Sequence, residues 1–95
     1  MNWKIIYHHA VGKDLQQIGI PGARRIIQAI DKKLASSPLE FGEPLSGDLA
    51  GLRKLRVGDY RVVYQVRDTE VVISILAVRT RRNKEIYQTT AKRYK

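Results

Sequence analysis

The stretch LRKLRVGDYRVVYQV, from Leu52 to Val66, decides the fold of this chain. Alternating apolar and polar residues on both sides of Gly58-Asp59 predict two antiparallel strands joined by a two-residue turn. Because such a turn sets the register of its strands, the residues that face each other can be read directly from the sequence. The expected pairs are Val57 with Tyr60, Arg56 with Arg61, Leu55 with Val62, and Lys54 with Val63.

This register divides the side chains of the hairpin between two faces, since successive residues of a strand point to opposite sides. The face expected to lie on the core holds Leu55, Val57, Tyr60, Val62, Tyr64 and Val66. The opposite face gathers Lys54, Arg56, Arg61, Gln65 and Arg67. Like charges directly opposite each other cost up to about 1 kcal/mol, so the Arg56–Arg61 pair favours an anion bound between them.

The remaining elements complete an α+β domain with the order βααβββα. One strand, two helices, three strands and a last helix are predicted over Asn2–Tyr7, His8–Ile18, Pro21–Ser36, Arg53–Val57, Tyr60–Arg67, Val71–Val78 and Arg82–Tyr94. The sheet is expected to be antiparallel and to pack on the two N-terminal helices. The intervening linker PLEFGEPLSGDLAG has fourteen residues, and loops of that length are often functional.

Length and composition fit one domain spanning residues 1–95, because 43% of the residues are hydrophobic and can form a core. The chain has no cysteine, which excludes disulfides and thiolate metal sites. Its longest apolar stretch, Val71–Val78, is far too short to span a bilayer, and its first ten residues lack the features of a signal peptide. A cytoplasmic protein without a membrane contact is expected.

Positive charge is concentrated in the second half of the chain. From Arg53 onward there are twelve Lys/Arg and four Asp/Glu, a balance of +8, against +1 for the first 52 residues. This asymmetry indicates a polyanionic partner, either nucleic acid or an acidic protein. Four of the cations follow the last strand in AVRTRRNKEIY, Ala77 to Tyr87, and three of them, Arg79, Arg82 and Lys84, are assigned to the RNA backbone or to a protein partner.

A basic sheet face beside a tyrosine suits an RNA backbone and one unstacked base. Cleavage of that backbone by the neighbouring 2′-hydroxyl needs a proton acceptor, charge stabilisation on the phosphorane and a proton donor. Arginine matches the phosphate oxygens, and a lysine among other cations can act as the base. His8 and His9 are adjacent at a strand end and fit exposed positions better than catalytic ones. No metal or other cofactor is expected, since the chain lacks cysteine, a third histidine and a Gly-rich phosphate loop.

Three segments resemble the RelE/ParE superfamily of bacterial toxin–antitoxin toxins. They are GEPLSGDLAGL (Gly42–Leu52), the hairpin Leu52–Val66, and LAVRTRRNKEIY (Leu76–Tyr87). The predicted order of strands and helices also matches, so the resemblance covers nearly the whole chain. The superfamily contains ribosome-dependent mRNA endonucleases of the RelE type and gyrase poisons of the ParE type.

The resemblance implies roles for three residues that occur together in RelE-type enzymes. Arg61, in the DYR motif, would contact the scissile phosphate. Arg81, after the last strand, would be a phosphate ligand and the general acid. Tyr87 would stack on the nucleotide or orient it. ParE-type relatives generally lack this full set, so its presence favours the nuclease.

Two residues, Lys54 and Glu43, are candidates for the general base, and the sequence does not choose between them. Lys54 and Arg56 lie nearest to two lysines of RelE-type enzymes, one of which is proposed as the base, and arginine is a poor base. Glu43 resembles a glutamate that acts as the base in some relatives. Thr80 stands where many relatives carry a histidine.

These implications define the expected function. It is a toxin that cleaves mRNA in the ribosomal A site by attack of the 2′-hydroxyl, without a metal, and is held by an acidic antitoxin whose amphipathic helix neutralises the basic face. The alternative is a ParE-like inhibitor that binds DNA gyrase and performs no chemistry. A third possibility is a degenerate member that binds only its antitoxin or RNA.

Overall fold

The chain forms one sheet flanked by helices, and the computed structural model describes residues 3–82 and 85–94 of it. The strands are β1 (Lys4–Tyr7), β2 (Glu43–Pro44), β3 (Leu52–Val57), β4 (Tyr60–Arg67) and β5 (Val72–Thr80). The helices are α1 (Val11–Ile18), α2 (Ile20–Ala29), which continues as a π-helical turn (Ile30–Leu34), and α3 (Ile86–Tyr94). The predicted α+β order is confirmed, and the linker adds β2 and a 3₁₀ turn (Gly47–Leu49).

The β3–β4 hairpin has the predicted register. Its pairs include Arg56 with Arg61 and Lys54 with Val63, as a two-residue turn at Gly58-Asp59 requires. Gly58 has a φ of 56°, the left-handed conformation that such a turn demands and that glycine adopts without steric cost. The predicted core face is buried, with Val62 and Tyr64 fully inaccessible to solvent.

The sheet as a whole is mixed, with the strand order β1-β5-β4-β3-β2. The meander of β3, β4 and β5 is antiparallel as predicted, and β2 adds to it in antiparallel fashion. The first strand instead pairs in parallel with β5, from Lys4–Val72 to Tyr7–Ile75. No local pattern predicts this pairing, because the two strands lie at opposite ends of the chain.

The two faces of the sheet carry separate apolar clusters. Helices α1 and α2 cover one face, where Val11, Ile26 and Ile30 pack on the core side of the hairpin. Helix α3 covers part of the other face, where Ile86 packs on an apolar patch formed by Leu52, Val63, Leu76 and Ala77. The face opposite the N-terminal helices is therefore divided between this apolar patch and the cations of the hairpin. Leu76 is an extra residue on β5, a β-bulge that turns both Leu76 and Ala77 toward α3.

Several element boundaries differ from the prediction, among them the start of α1 at Val11 and not at His8. Strand β5 continues to Thr80, two residues beyond the predicted end at Val78. The last helix begins at Ile86 and not at Arg82, because the backbone N–H of Arg81 donates to the carbonyl of Asp59 at 2.7 Å and keeps the chain beside the hairpin turn. The predicted strand start at Asn2, and Lys84, lie outside the described residues. In the described part of the chain, no helix has the length and apolar content that crossing a membrane would need.

Candidate active site

A groove of about 430 Å³ opens at the edge of β3. Strand β2 pairs only with Arg53 and Lys54, so the next residues of β3 have no neighbouring strand on that side. The groove wraps around this uncovered edge, from the α2 layer to the basic face of the hairpin. Four of the residues singled out from the sequence line it: Glu43, Lys54, Arg56 and Arg61.

Arg61 connects the groove to α3. One of its guanidinium N–H groups donates to the hydroxyl of Tyr87 at 3.4 Å. Tyr87 is half-buried, and its ring packs against the apolar cluster under α3. The packing therefore holds the ring in place while the hydroxyl reaches the arginine. Arg56 is the partner of Arg61 across the hairpin, and both side chains line the groove.

Lys54 and Glu43 form an ion pair at the edge of the groove. Their Cα atoms are partners across β2 and β3, and the ammonium nitrogen lies 3.9 Å from a carboxylate oxygen. The Glu43 side chain is 77% exposed and that of Lys54 34%, so a bound molecule can reach both groups. A carboxylate is an acceptor and an ammonium is a donor, so the pair offers one of each at the same edge.

The loop that delivers Glu43 is held from beneath by Tyr64. Its buried hydroxyl lies within hydrogen-bonding distance of the carbonyl oxygens of Pro38 (2.8 Å) and Phe41 (2.7 Å), which share its one proton. Burial raises the pKa of Tyr64, against the opposing effect of Arg53, so the hydroxyl keeps the proton that it donates. The sequence placed Tyr64 in the core but carried no signal that it also anchors this loop.

Arg53 holds the same loop from the side. Its guanidinium donates to the carbonyl oxygens of Leu39 (3.1 Å) and Gly42 (3.2 Å). Gly42 has a φ of 82°, and any side chain there would collide with the hydroxyl of Tyr64 and the carbonyl of Lys54. Glycine is thus required for β2 to lie against β3.

Arg81 lies at the other end of the basic face. It follows β5 in an exposed turn, beside the β3–β4 hairpin turn to which its backbone N–H is bonded. Among the described residues, those that line the groove do not include Arg81. The structure thus brings together Lys54, Arg56, Arg61 and Tyr87, and it places Arg81 at the margin of the same face.

Arg79 takes part in a different arrangement, an ion-pair cluster at the far edge of the sheet. Asp14 of α1 is almost fully buried and pairs with Arg79 and, at 2.7 Å, with Arg93 of α3. The same carboxylate accepts the backbone N–H of Val78 at 3.1 Å, and Arg93 donates to the carbonyl of Leu76 at 3.0 Å. Burial acts to raise the pKa of Asp14, but the hydrogen bonds from Arg93, Arg79 and Val78 outweigh it and hold that pKa below its ordinary value. Sequence analysis missed this cluster.

The two histidines lie outside the groove. Nδ1 of His8 accepts the backbone N–H of Ala10 at 3.1 Å, and the ring stacks on His9 with centroids 4.2 Å apart. Burial and the neighbouring His9 lower the pKa of His8, which favours the neutral ring that can accept this bond. Within residues 3–82 and 85–94, no group of three His, Cys, Asp or Glu side chains is placed to hold a metal ion.

Comparison with known proteins identifies the class. A family model described as the ParE toxin of the type II toxin–antitoxin system parDE matches residues 5–94. Toxin RelE of Mycobacterium tuberculosis is 34% identical over 79 residues, which are 79% of this chain and 81% of the relative. Toxin RelG of the same organism is 27% identical over 78 residues, which are 82% of this chain and 90% of the relative.

Solved structures agree with these matches. The chain matches a chain of the toxin–antitoxin complex RelBE2 of M. tuberculosis with a TM-score of 0.80 and 25% identity, over 84% of this chain and 92% of that one. It matches a mutant of the Escherichia coli toxin RelE in the free state with a TM-score of 0.78 and 25% identity, over 98% of both chains. The fold and the matches define a toxin of a type II toxin–antitoxin system. The chain belongs to the RelE/ParE toxin superfamily.

Proposed function

We propose that this toxin is an endoribonuclease that cleaves mRNA in the ribosomal A site and thereby inhibits translation. The observation that carries the proposal is the contact of Arg61 with Tyr87 beside a groove lined by Lys54 and Arg56. Guanidinium groups pair with phosphate oxygens, and an aromatic ring beside them can stack on an unpaired base. The relatives named RelE support the same reading.

The chemistry is an internal displacement at phosphorus. The 2′-oxygen forms a bond to phosphorus and loses its proton, the bond to the 5′-oxygen breaks, and the products are a 2′,3′-cyclic phosphate and a 5′-hydroxyl. Arg61 and Arg56 stabilise the charge that develops on the phosphorane oxygens. Arg81, at the margin of the face, is the phosphate ligand that protonates the departing 5′-oxygen.

Glu43 is the proposed general base. In its pair with Lys54, the carboxylate is the group that can accept the 2′-hydroxyl proton, and the ammonium is the group that can stabilise a negative oxygen. Both side chains are exposed to solvent and no metal is invoked, so the acid–base assistance is modest. The ribosome would supply the orientation of the strand, which is a large part of the rate acceleration in such reactions.

An antitoxin is the proposed regulatory partner. The RelBE2 structure is a toxin–antitoxin complex, and the structure of archaeal RelE from Pyrococcus horikoshii, which is 32% identical with a TM-score of 0.67 over 87% of this chain and 99% of that chain, is a RelE–RelB complex. A net charge of +9 favours an acidic partner for this chain. Its amphipathic helix would neutralise the cations of the groove while it is bound.

Primer extension on an mRNA in a translating extract tests the nuclease. The wild-type protein is expected to produce new 5′ ends within codons, and Arg61→Ala and Arg81→Ala are each expected to reduce cleavage roughly 100- to 1,000-fold, the loss typical of one transition-state donor. Circular dichroism of the two variants serves as the folding control. A wild-type protein that arrests growth but produces no new 5′ ends would contradict the proposal.

Glu43→Gln and Lys54→Met separate the two candidate bases. If Glu43 is the base, Glu43→Gln removes the acid limb of the pH–rate profile, because the amide cannot take up the proton. Lys54→Met then reduces the rate at all pH values and leaves the shape of the profile unchanged. The reverse pattern would assign the base to Lys54.

Gyrase inhibition is the second candidate, and the family model described as ParE toxin favours it. A supercoiling assay with purified gyrase tests it directly. Growth arrest accompanied by DNA damage, with translation continuing, would support this candidate over the nuclease.

A further inference from the structure

We infer that Phe41 forms a second base-binding position of the groove, where it stacks on an unpaired nucleobase of the same RNA strand that Arg61 holds. Phe41 is 39% exposed, so a bound molecule can reach its ring from the groove. It lines the groove together with Lys54, Arg56 and Arg61. The inference rests on the proposed RNA substrate and names a contact that the resemblance does not assign.

The backbone of Phe41 is held firmly although its ring is exposed. Its carbonyl accepts the hydroxyl of Tyr64, and Arg53 holds the carbonyl oxygens of Leu39 and Gly42 on either side of it. The loop therefore has few conformations to lose when a ligand binds. A ligand binds more tightly to a loop that is already held in place, because little conformational entropy is lost when the complex forms.

The charge around Phe41 suits a nucleotide better than an apolar ligand. The ammonium of Lys33 lies 5.7 Å from the centroid of the ring, and the groove is also lined by the cations Lys54, Arg56 and Arg61, against two carboxylates, Glu40 and Glu43. An aromatic ring among cations can bind the face of a base while the cations neutralise its phosphates. Stacking accepts any base, so this position holds the strand without reading its sequence.

Lys33 also links the groove to a second basic surface. It lines a neighbouring groove on α2 and the turn that follows, together with Arg25 and Lys32. A strand that leaves Arg61 and passes Phe41 therefore meets further cations beyond the edge of β3. Tyr87 and Phe41 would then contact bases on the two sides of that edge, which defines a path for several nucleotides.

Binding of a fluorescein-labelled hexaadenylate to the purified toxin, followed by anisotropy at low salt, tests this position without any cleavage. Phe41→Ala is expected to weaken binding roughly 5- to 100-fold, the range for one stacked base, whereas Phe41→Tyr retains binding. Leu39→Ala is the matched control, because Leu39 lies in the same loop, is 56% exposed and does not line the groove. We expect it to change affinity less than about twofold.

A second strand of the same length that carries abasic sugars tests the contact itself. If the ring of Phe41 stacks on a base, the difference between wild type and Phe41→Ala disappears on this strand, because the phosphates are unchanged and the base is missing. A difference of equal size on both strands would overturn the stacking contact. Thermal unfolding of each variant excludes a general loss of structure, and Phe41→Tyr provides a folded variant in any case.

The outcomes separate this inference from the proposed nuclease. Phe41-dependent binding in a protein that makes no cuts in a translating extract would remove the nuclease and leave the base position intact. Unchanged binding by Phe41→Ala, with weaker binding by Arg61→Ala, would overturn the base position and leave the nuclease intact. Unchanged RNA binding together with weaker binding to the antitoxin would also overturn it and would assign Phe41 to the protein interface.

Discussion

Two groups of cations lie where the outer strands of the sheet stop short, one beside β5 and one beside β3, and they differ in what faces them. At one edge, β1 ends opposite Ile75, and the rest of β5 is covered by the buried carboxylate of Asp14 and the guanidinium of Arg93. At the other edge, β2 is only two residues long, and Arg56 and Arg61 face an open groove. The first group has a buried counter-charge within the fold, whereas the carboxylates that line the groove of the second group, Glu40 and Glu43, are both exposed.

This comparison separates the cations that pair within the fold from the cations that are open to a ligand. Arg61 and Arg79 are direct partners across β4 and β5, so their positions in the sheet are nearly equivalent. Arg79 reaches a carboxylate that is 3% exposed, whereas Arg61 reaches a tyrosine hydroxyl beside the groove. The presence of a buried counter-ion, and not the arginine itself, distinguishes their roles. Variants of the two groups should therefore affect stability in opposite directions.

The largest effect is expected for Asp14→Ala. Removal of the carboxylate leaves Arg79 and Arg93 partly buried without a counter-charge and the Val78 amide without an acceptor, a loss of about 3–5 kcal/mol in the free energy of unfolding. Urea unfolding measures it. A loss below about 1 kcal/mol would show that the Asp14 cluster contributes no more to stability than the residues of the groove, and it would contradict the difference between the two groups.

The next largest effect is expected for Arg79→Met, with Arg61→Met as its matched control. The first variant loses a charge-assisted bond to a buried carboxylate, worth about 1.5–3 kcal/mol, although Arg93 still neutralises Asp14. The second variant loses only the longer contact with Tyr87, and its stability should change by less than about 0.5 kcal/mol. Thermal melts of the pair under one condition check the difference. Equal losses would contradict the assignment of roles.

The pH dependence of stability should report on Asp14. Because its pKa in the folded protein is below the ordinary value, the unfolded chain takes up the proton first as the pH falls. The stabilisation is therefore complete above the ordinary pKa of about 3.9 and is lost as the pH falls through the lower pKa of the folded state. Urea midpoints between about pH 6 and about pH 3 should fall less steeply for Asp14→Asn than for wild type. If the urea midpoints of the two proteins fall in parallel as the pH decreases, a group other than Asp14 causes the loss of stability in acid.

The smallest effect, with the opposite sign, is expected for Arg56→Gln. The variant relieves the repulsion between Arg56 and Arg61 across the hairpin and should raise the free energy of unfolding by tenths of a kcal/mol, up to about 1 kcal/mol. RNA binding and cleavage should weaken, since the proposed function assigns Arg56 a contact with the phosphate. A chemical denaturation curve and the hexaadenylate titration measure the two changes. A lower free energy of unfolding for Arg56→Gln would show that the Arg56–Arg61 pair does not destabilise the fold.

Local sequence predicted the elements whose geometry is set by neighbouring residues. The Gly58-Asp59 turn determines the β3–β4 register, and alternation then determines which side chains meet on each face. The turn and the alternation are sufficient to predict that Arg56 and Arg61 face each other. The resemblance of the hairpin and of the segment up to Tyr87 to a toxin superfamily extended the prediction to the family, which the comparisons confirm.

Contacts between distant segments could not be predicted in this way. Asp14 meets Arg93 across 79 positions of sequence, and no periodicity in either segment indicates the other. The same is true of the parallel pairing of β1 with β5 and of the Tyr64 hydroxyl that anchors Pro38 and Phe41. These contacts depend on how the helices and the linker fold over the sheet.

The sequence by itself therefore determined the hairpin, its register, the basic face and the family of this toxin, because each depends on residues close together in the chain. Only the tertiary structure decided which cations have a buried counter-charge and which face a groove. Charge is read from composition, but its neutralisation depends on the approach of a group from another element. Arg79 and Arg61 look alike in the sequence, and the carboxylate of Asp14, delivered by a helix from the opposite end of the chain, makes them different.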